Sequence, residues 1–219
     1  MTDGPLIVQS DKTMLLEVDH PDSVACRKAI APFAELERAP EHIHTYRLTP
    51  LGLWNARAAG HDAESVVDTL IRYSRYPVPN ALLIDVAETM SRYGRLQINT
   101  DPANGLILQA IDVAVLEEVL KSKKVAPLLG IRIDENTVVV HPSERGHLKQ
   151  ALVKLGWPAE DVAGYVDGER HAISLKTDWD AREYQIQAAD GFWHGGSGVV
   201  VLPCGAGKTL VGALAMYRA

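Results

Sequence analysis

The sequence predicts an α+β protein built from three stretches of different character. The first stretch holds three helices with apolar residues at helical spacing and ends in a β-hairpin, and the second alternates strands and helices in the order βαββα. The third is a β-branched strand, a glycine-bearing loop and the beginning of a helix near the C-terminal end. These stretches give the expected domain limits, 1–110, 106–175 and 176–219.

The N-terminal residues predict a hairpin, a short helix and a connector. Apolar residues 6–8 and 14–18 flank a polar segment, which is typical of two strands joined by a turn. Residues 22–31 have the pattern of a helix that ends before Pro32. Residues 35–44 are polar and punctuated by proline, so we expect them to connect this part to the helices that follow.

Three helices and a second hairpin follow in residues 43–110. Thr49 precedes a proline and Asp62 precedes an apolar-periodic run, so each is a candidate N-cap. A third helix is predicted over 80–93, and a strong turn signal at 101–105 separates two short strands. This order suggests a winged-helix-like domain.

In such a domain the third helix would read DNA. Its exposed positions include Asp85 and Glu88 against Arg92, a balance that repels phosphates. Packing or protein contact is therefore the favoured use of this helix.

The βαββα stretch begins within the hairpin. A helix is predicted over 112–121, two strands over 129–133 and 137–140, and a last helix from Pro142 to Gly156. Residues 157–180 are expected to be a coil that leads to the third stretch.

The glycine-bearing loop is the most specific chemical signal in the chain. The phosphate-binding pattern is G-x-x-x-x-G-K-[ST]; Gly207-Lys208-Thr209 fits its end, whereas Leu202 stands at the first glycine position. A strand over 199–202 and a helix from Thr209 supply the required context. We expect the loop to be poorly ordered, because the strand lacks the neighbouring strands of a parallel sheet and has few places to bury its two faces. A glycine-rich turn between core elements is the alternative.

The residue types suit a nucleotide. Backbone N–H groups of Gly205, Ala206 and Gly207 would close on the phosphates, while the Lys208 ammonium would bind the terminal phosphates and the Thr209 hydroxyl Mg²⁺. Gln185, 23 residues before Lys208, could both donate to and accept from an adenine edge, with Arg182 nearby. The candidate ligands are therefore ATP and Mg²⁺, at the following residues: Arg182, Gln185, Gly205, Ala206, Gly207, Lys208 and Thr209.

Composition narrows the class of protein. The 219 residues are 47% hydrophobic with a net charge of −6, which is ordinary for a globular protein and unfavourable for avid binding of nucleic acid by the whole chain. We expect no membrane partner, because no apolar run has the length of a membrane span. Two cysteines and an N-terminus without a signal-peptide pattern indicate a cytoplasmic location.

Several segments resemble known helicases. Residues 203–209 are similar to motif I of superfamily 2 helicases, and 175–185 to their "LRxYQ" segment. Within that superfamily the chain resembles the XPB family, which typically has a cysteine in motif I, as at Cys204. Four stretches carry this likeness: 44–49, 76–79, Gly164-Tyr165 and 199–212.

The resemblance implies an ATP-dependent 3′–5′ DNA helicase or translocase that acts in DNA repair and comes from a bacterium. It implies a partner-binding N-terminal domain over 1–110, a damage-recognition-like domain over 106–175, and the start of a RecA-like helicase domain from 176. The acidic metal-binding pair, the arginine finger and the second helicase domain would follow later in a longer protein. No catalytic set is complete here, so the chain alone is expected to lack ATPase activity.

Two other functions stay open. The N-terminal two-thirds would dock a partner, such as a nuclease or repair protein, that regulates the motor. Alternatively, residues 106–175 would sense DNA structure.

Overall fold

The computed structural model describes residues 3–164, 172–175, 180–195 and 198–218. The chain divides into two compact units, Met1–Gly164 and Tyr165–Ala219. Both α-helices and β-sheets are present, which confirms the α+β class.

A four-stranded antiparallel sheet in the order β1-β2-β4-β3 begins the first unit. One face of this sheet is covered by four helices, because the alternating apolar residues of its strands and the apolar stripes of the helices form one buried core. The elements are β1 (Leu6–Val8), β2 (Thr13–Glu17), α1 (Ser23–Ile30), β3 (Ala34–Arg38), β4 (Ile43–Leu48), α2 (Pro50–Ala58), α3 (Ala63–Tyr73) and α4 (Asn80–Ser91).

The two predicted N-caps are confirmed. The Thr49 hydroxyl accepts a hydrogen bond of 3.0 Å from the Gly52 N–H at the start of α2. The Asp62 carboxylate accepts one of 2.8 Å from the Ser65 N–H at the start of α3, and this bond lowers the pKa of Asp62. Each cap satisfies an N–H group that the helix itself leaves free.

A five-stranded sheet in the order β7-β8-β6-β5-β9 forms the rest of the first unit. Two helices pack on one of its faces and share a second buried core with it. The elements are β5 (Leu96–Asp101), β6 (Gly105–Ala110), α5 (Val113–Lys121), β7 (Leu129–Arg132), β8 (Thr137–Val140), α6 (Arg145–Leu155) and β9 (Ala159–Asp161).

The hairpin predicted as a wing belongs to this second sheet. Its strands β5 and β6 pair with β9 and β8, and their buried side chains pack with α5 and α6. The helices α2–α4 share the first core instead. The winged-helix description of residues 1–110 is therefore not confirmed.

Two predictions of irregular structure are wrong. The expected connector at 35–44 contains most of β3 and the beginning of β4. Strand β3 lies at the sheet edge and is largely exposed, which explains its polar sequence. The expected coil after Trp157 contains β9, which pairs in parallel with β5 although it is only three residues long.

A cluster of charged side chains connects β9 to α6: Asp161 on the strand, and Arg145 and Lys149 on the helix. The Asp161 carboxylate accepts hydrogen bonds from the Arg145 guanidinium at 2.6 and 3.0 Å and from the Lys149 ammonium at 3.0 Å. Burial by itself would raise the pKa of Asp161, but the bonds and charges of Arg145 and Lys149 hold it below its usual value. Arg145 also donates to the Gly164 carbonyl at 2.7 Å, at the end of this unit.

The second unit contains α7 (Glu183–Gly195) and α8 (Lys208–Arg218), joined by the glycine-bearing loop. Ala189, Val211 and Leu214 form its buried core. The expected strand at 199–202 is not formed, since it has no strand to pair with in the described part of the chain. Tyr165 and residues 176–179, used for the helicase resemblance, lie outside the described residues.

No helix within the described ranges is both long and apolar enough to cross a membrane.

Candidate functional site: a phosphate-binding loop

The loop before α8 turns at its glycines. Gly205 and Gly207 each have a φ of +78°, in the left-handed region that L side chains rarely adopt. The Ala206 N–H donates to the Pro203 carbonyl at 3.3 Å, and the helix begins directly after Gly207. The sequence thus folds locally into a tight turn that ends at a helix N-terminus, as predicted for a phosphate-binding loop.

Gly207 is required both for its positive φ and for the close approach of the Gln185 side chain. A Cβ atom added at Gly207 would collide with Nε2 of Gln185. Any side chain at this position would therefore displace the Gln185 amide, in addition to straining the backbone.

Gln185 joins the start of α7 to the loop. Its Oε1 accepts a hydrogen bond of 2.9 Å from the Arg182 N–H, the contact that a glutamine at the third helical position makes in a capping box. Its Nε2 donates to the Ala206 carbonyl at 2.9 Å. The side chain is buried, with 4% exposure, so the amide is held in one orientation.

Tyr184 is a contact that the sequence analysis missed. Its hydroxyl donates to the same Ala206 carbonyl at 2.8 Å, and its side chain is half-buried. The only sequence feature that could have indicated this contact is the position of Tyr184 immediately before Gln185. Residue type alone does not predict which atom a tyrosine hydroxyl binds.

Lys208 folds its ammonium back onto the loop. Nζ donates to the carbonyls of Leu202 at 2.9 Å and Pro203 at 3.0 Å. A lysine ammonium carries a positive charge and three N–H donors, and here it lies beside the loop. Lys208 is exposed, so an incoming anion can reach the ammonium and replace these neutral acceptors.

The remaining predicted residues lie at the rim. Thr209 is exposed in the first turn of α8. Arg182 is exposed, and its guanidinium lies 3.4 Å from the Tyr184 hydroxyl oxygen. The structure thus brings Arg182 and Gln185 to the same loop as the residues at positions 205–209.

The unpaired N–H groups complete the site. Within the described residues, the N–H groups of Gly207, Lys208 and Thr209 donate to no recorded acceptor. The first N–H groups of a helix lack an internal partner and point along its positive dipole end. With the Lys208 ammonium, they form a set of donors for an oxyanion such as a phosphate.

Known proteins are similar to this chain along its whole length. A family model described as "Helicase conserved C-terminal domain" matches residues 6–134, which lie within the first unit. The chain is 76% identical to "DNA 3'-5' helicase XPB" of Kineococcus radiotolerans and 72% identical to the protein of that name from Mycobacterium tuberculosis. Both matches cover 100% of this chain and 40% of the relative.

A more distant relative comes from Enterocytozoon bieneusi. It is named "General transcription and DNA repair factor IIH helicase/translocase subunit XPB", is 27% identical, and matches over 98% of this chain and 36% of its own length. The chain therefore spans well under half the length of the curated relatives that it matches.

Proposed function

Because this chain belongs to the XPB family of DNA 3′–5′ helicases, we propose that its second unit carries the ATP-binding loop of an ATP-dependent 3′–5′ DNA helicase or translocase that acts in DNA repair. This activity is the one named for the relatives, and the chain covers 40% of the length of each of the two bacterial ones. What the chain itself contributes is the recognition of the nucleotide.

One observation carries this proposal: the Lys208 ammonium lies against the loop carbonyls of Leu202 and Pro203, beside free N–H groups at the start of α8. A phosphate that enters the loop would replace neutral carbonyl acceptors with charged oxygens. The ammonium already donates charge-assisted bonds, and an anionic acceptor adds the attraction between opposite charges, so the exchange is favourable.

The other site residues then have separate roles. The backbone N–H groups of Gly205 and Gly207 would bind the phosphates, and that of Ala206 would join them on leaving the Pro203 carbonyl. The Thr209 hydroxyl would bind the Mg²⁺ that accompanies ATP. Gln185 retains one N–H and one lone pair beyond its two bonds, which would serve to recognise adenine, with Arg182 at the rim.

Hydrolysis needs more than this set. Phosphoryl transfer requires the metal, a positioned water and an arginine to act together on the transferred group. Lys208 and Thr209 supply phosphate and metal contacts only. We propose that the 219-residue chain binds nucleotide without turning it over.

The test is nucleotide binding by the Lys208→Ala variant. We expect calorimetry with Mg·ATP to show binding by the wild-type chain and an affinity at least about tenfold lower for the variant, since a hydrogen bond to a charged group is worth about 1.5–3 kcal/mol. Lys28→Ala, which removes an exposed charge in α1, is the matched control and should bind as the wild type does.

Two results contradict the proposal. Equal affinity of Lys208→Ala and the wild type would show that the loop does not bind the phosphates. Steady ATP turnover by the purified chain, abolished in Lys208→Ala, would show that a complete catalytic set is present.

The second sheet favours a second function for the first unit, the sensing of DNA structure proposed for residues 106–175. Helices cover one face of this sheet, whereas the other face carries the amide of Gln109 on β6 and those of Gln97 and Asn99 on the paired strand β5. Gln97 donates one N–H to Glu160 and Asn99 one to Gln109, so each of these two amides keeps a second N–H. Amides can donate to phosphates and can both donate to and accept from bases. Binding to forked duplex DNA, with an affinity that falls as salt rises, is the expected result.

Absence of DNA binding at low salt would leave protein docking as the function of this unit. In that case, the first unit would bind a nuclease or another repair protein and regulate the motor.

A further inference from the structure

The carbonyl of Ala206 connects the loop to α7. Its oxygen accepts a hydrogen bond from the Tyr184 hydroxyl at 2.8 Å and a second from Nε2 of Gln185 at 2.9 Å. The two donors are consecutive residues in the first turn of α7, so one rigid element holds one peptide group of the loop.

The direction of this carbonyl determines the direction of the next N–H group. The peptide between Ala206 and Gly207 is trans, and a trans peptide is planar with its C=O and N–H pointing in opposite directions. When the carbonyl of Ala206 points to Tyr184 and Gln185, the N–H of Gly207 therefore points away from α7. In the described residues this N–H has no recorded acceptor.

The loop needs such a restraint because a glycine adjoins this peptide. The 206–207 peptide turns about ψ of Ala206 and φ of Gly207, and Gly207 lacks a Cβ atom and has access to a wide range of φ. Without the contacts from α7, several orientations of this peptide would be accessible. Each rotation would turn the Gly207 N–H away from a phosphate.

We propose that Tyr184 is a positioning residue for the nucleotide: its hydroxyl, together with the Gln185 amide, fixes the 206–207 peptide so that the Gly207 N–H faces the phosphates. The inference rests on the proposed function of the loop and adds a residue that the phosphate-binding pattern does not contain. Tyr184 itself touches no phosphate in this arrangement; it acts through the backbone.

The variant Tyr184→Phe tests this role, because it removes one oxygen atom and keeps the ring that packs in the second unit. We expect the affinity for Mg·ADP to fall about threefold to tenfold, the range that one neutral hydrogen bond supports. Tyr217→Phe is the matched control: Tyr217 is half exposed on α8, and its loss of a hydroxyl should leave the affinity unchanged.

A second measurement reads the peptide directly. In ¹H–¹⁵N NMR spectra without nucleotide, Tyr184→Phe should shift or broaden the Gly207 amide resonance, whereas Tyr217→Phe should not. A merely structural role of the tyrosine ring would leave this resonance in place, since phenylalanine keeps the ring.

A double-mutant cycle with Gln185→Leu adds the third readout. Because both side chains hold the same carbonyl, the losses of affinity in the two single variants should not add in the double variant. Additive losses would assign the two residues independent roles and overturn the inference.

The outcomes separate this inference from the proposed function. If the wild-type chain fails to bind Mg·ADP, the proposed function fails. If the wild type binds and Tyr184→Phe binds equally well with an unchanged Gly207 resonance, the inference alone is overturned.

Discussion

The two units differ in what holds them together. The first unit has two cores in which strands and helices bury apolar side chains completely, for example Leu16 and Leu108, both 0% exposed. In the described part of the second unit the buried core is Ala189, Val211 and Leu214, while Val199 and Val201 are 90% and 87% exposed. Apolar burial therefore stabilises the first unit far more than the second.

In the second unit, polar contacts hold the loop of the candidate site. Tyr184, Gln185 and Lys208 all donate to carbonyls of the loop. Single hydrogen bonds contribute about 1 kcal/mol each, so the loop can be reorganised by a ligand, whereas a packed core cannot. Most of the apolar stabilisation and the proposed nucleotide site thus lie in different parts of the chain.

The largest change in the free energy of unfolding is expected when a core side chain is truncated. Leu108→Ala should lower the free energy of unfolding of the first unit by about 2–5 kcal/mol, because a fully enclosed site leaves a cavity. Leu214→Ala should cost the second unit less, about 1–2 kcal/mol, since its surroundings are partly open. Hydrogen exchange measured by mass spectrometry in increasing urea resolves the two units.

Ile131→Ala is the control for this pair. Ile131 is 73% exposed on β7, so its loss should change the free energy of unfolding by less than about 0.5 kcal/mol. A larger cost for Leu214→Ala than for Leu108→Ala would reverse the comparison of the two units.

An intermediate effect is expected at Asp161. Asp161→Asn should lower the stability of the first unit by about 1–3 kcal/mol at pH 7, because it weakens charged hydrogen bonds to Arg145 and Lys149. The folded-state pKa of Asp161 lies below the unfolded value, so this stabilisation is present above the unfolded pKa and is lost as pH falls through the folded pKa.

Urea unfolding at a series of pH values measures this prediction. The gap between the wild type and Asp161→Asn should be constant near neutrality and should narrow below about pH 4, the ordinary range of an aspartate. A gap that widens in acid would show that the cluster of charged side chains does not stabilise the ionised form.

The smallest effect is expected at a helix cap. Thr49→Ala should cost the first unit about 1 kcal/mol, since the Gly52 N–H loses its acceptor, and should leave nucleotide affinity unchanged. Thr49→Ser, which keeps the hydroxyl, should retain most of the stability. Thermal unfolding and Mg·ATP titration are the two measurements. A loss of affinity in Thr49→Ala would contradict the separation of first-unit stability from nucleotide binding.

The sequence predicts local structure well where residue type acts locally. The caps at Thr49 and Asp62, the hairpin around residues 101–105 and the helix from Lys208 all depend on neighbours in the chain. Strands β3 and β9 were missed because their pairing with β4 and β5 depends on distant segments and their own residues are polar or few.

The candidate site shows the same limit. The glycines, Lys208 and Gln185 are predictable because a phosphate-binding loop needs those residue types at that spacing. That Tyr184 and Gln185 converge on the Ala206 carbonyl was not predictable, since it depends on how α7 packs beside a loop more than 20 residues later.

The most direct test of this account is a titration of Mg·ATP into the ¹⁵N-labelled chain, followed by the amide resonances of both units. The account predicts shifts confined to residues 182–185 and 203–211, with the amides of the first unit unchanged, and no such shifts in Lys208→Ala. Saturating nucleotide that leaves residues 203–211 unshifted, or that shifts mainly the first unit, would contradict it.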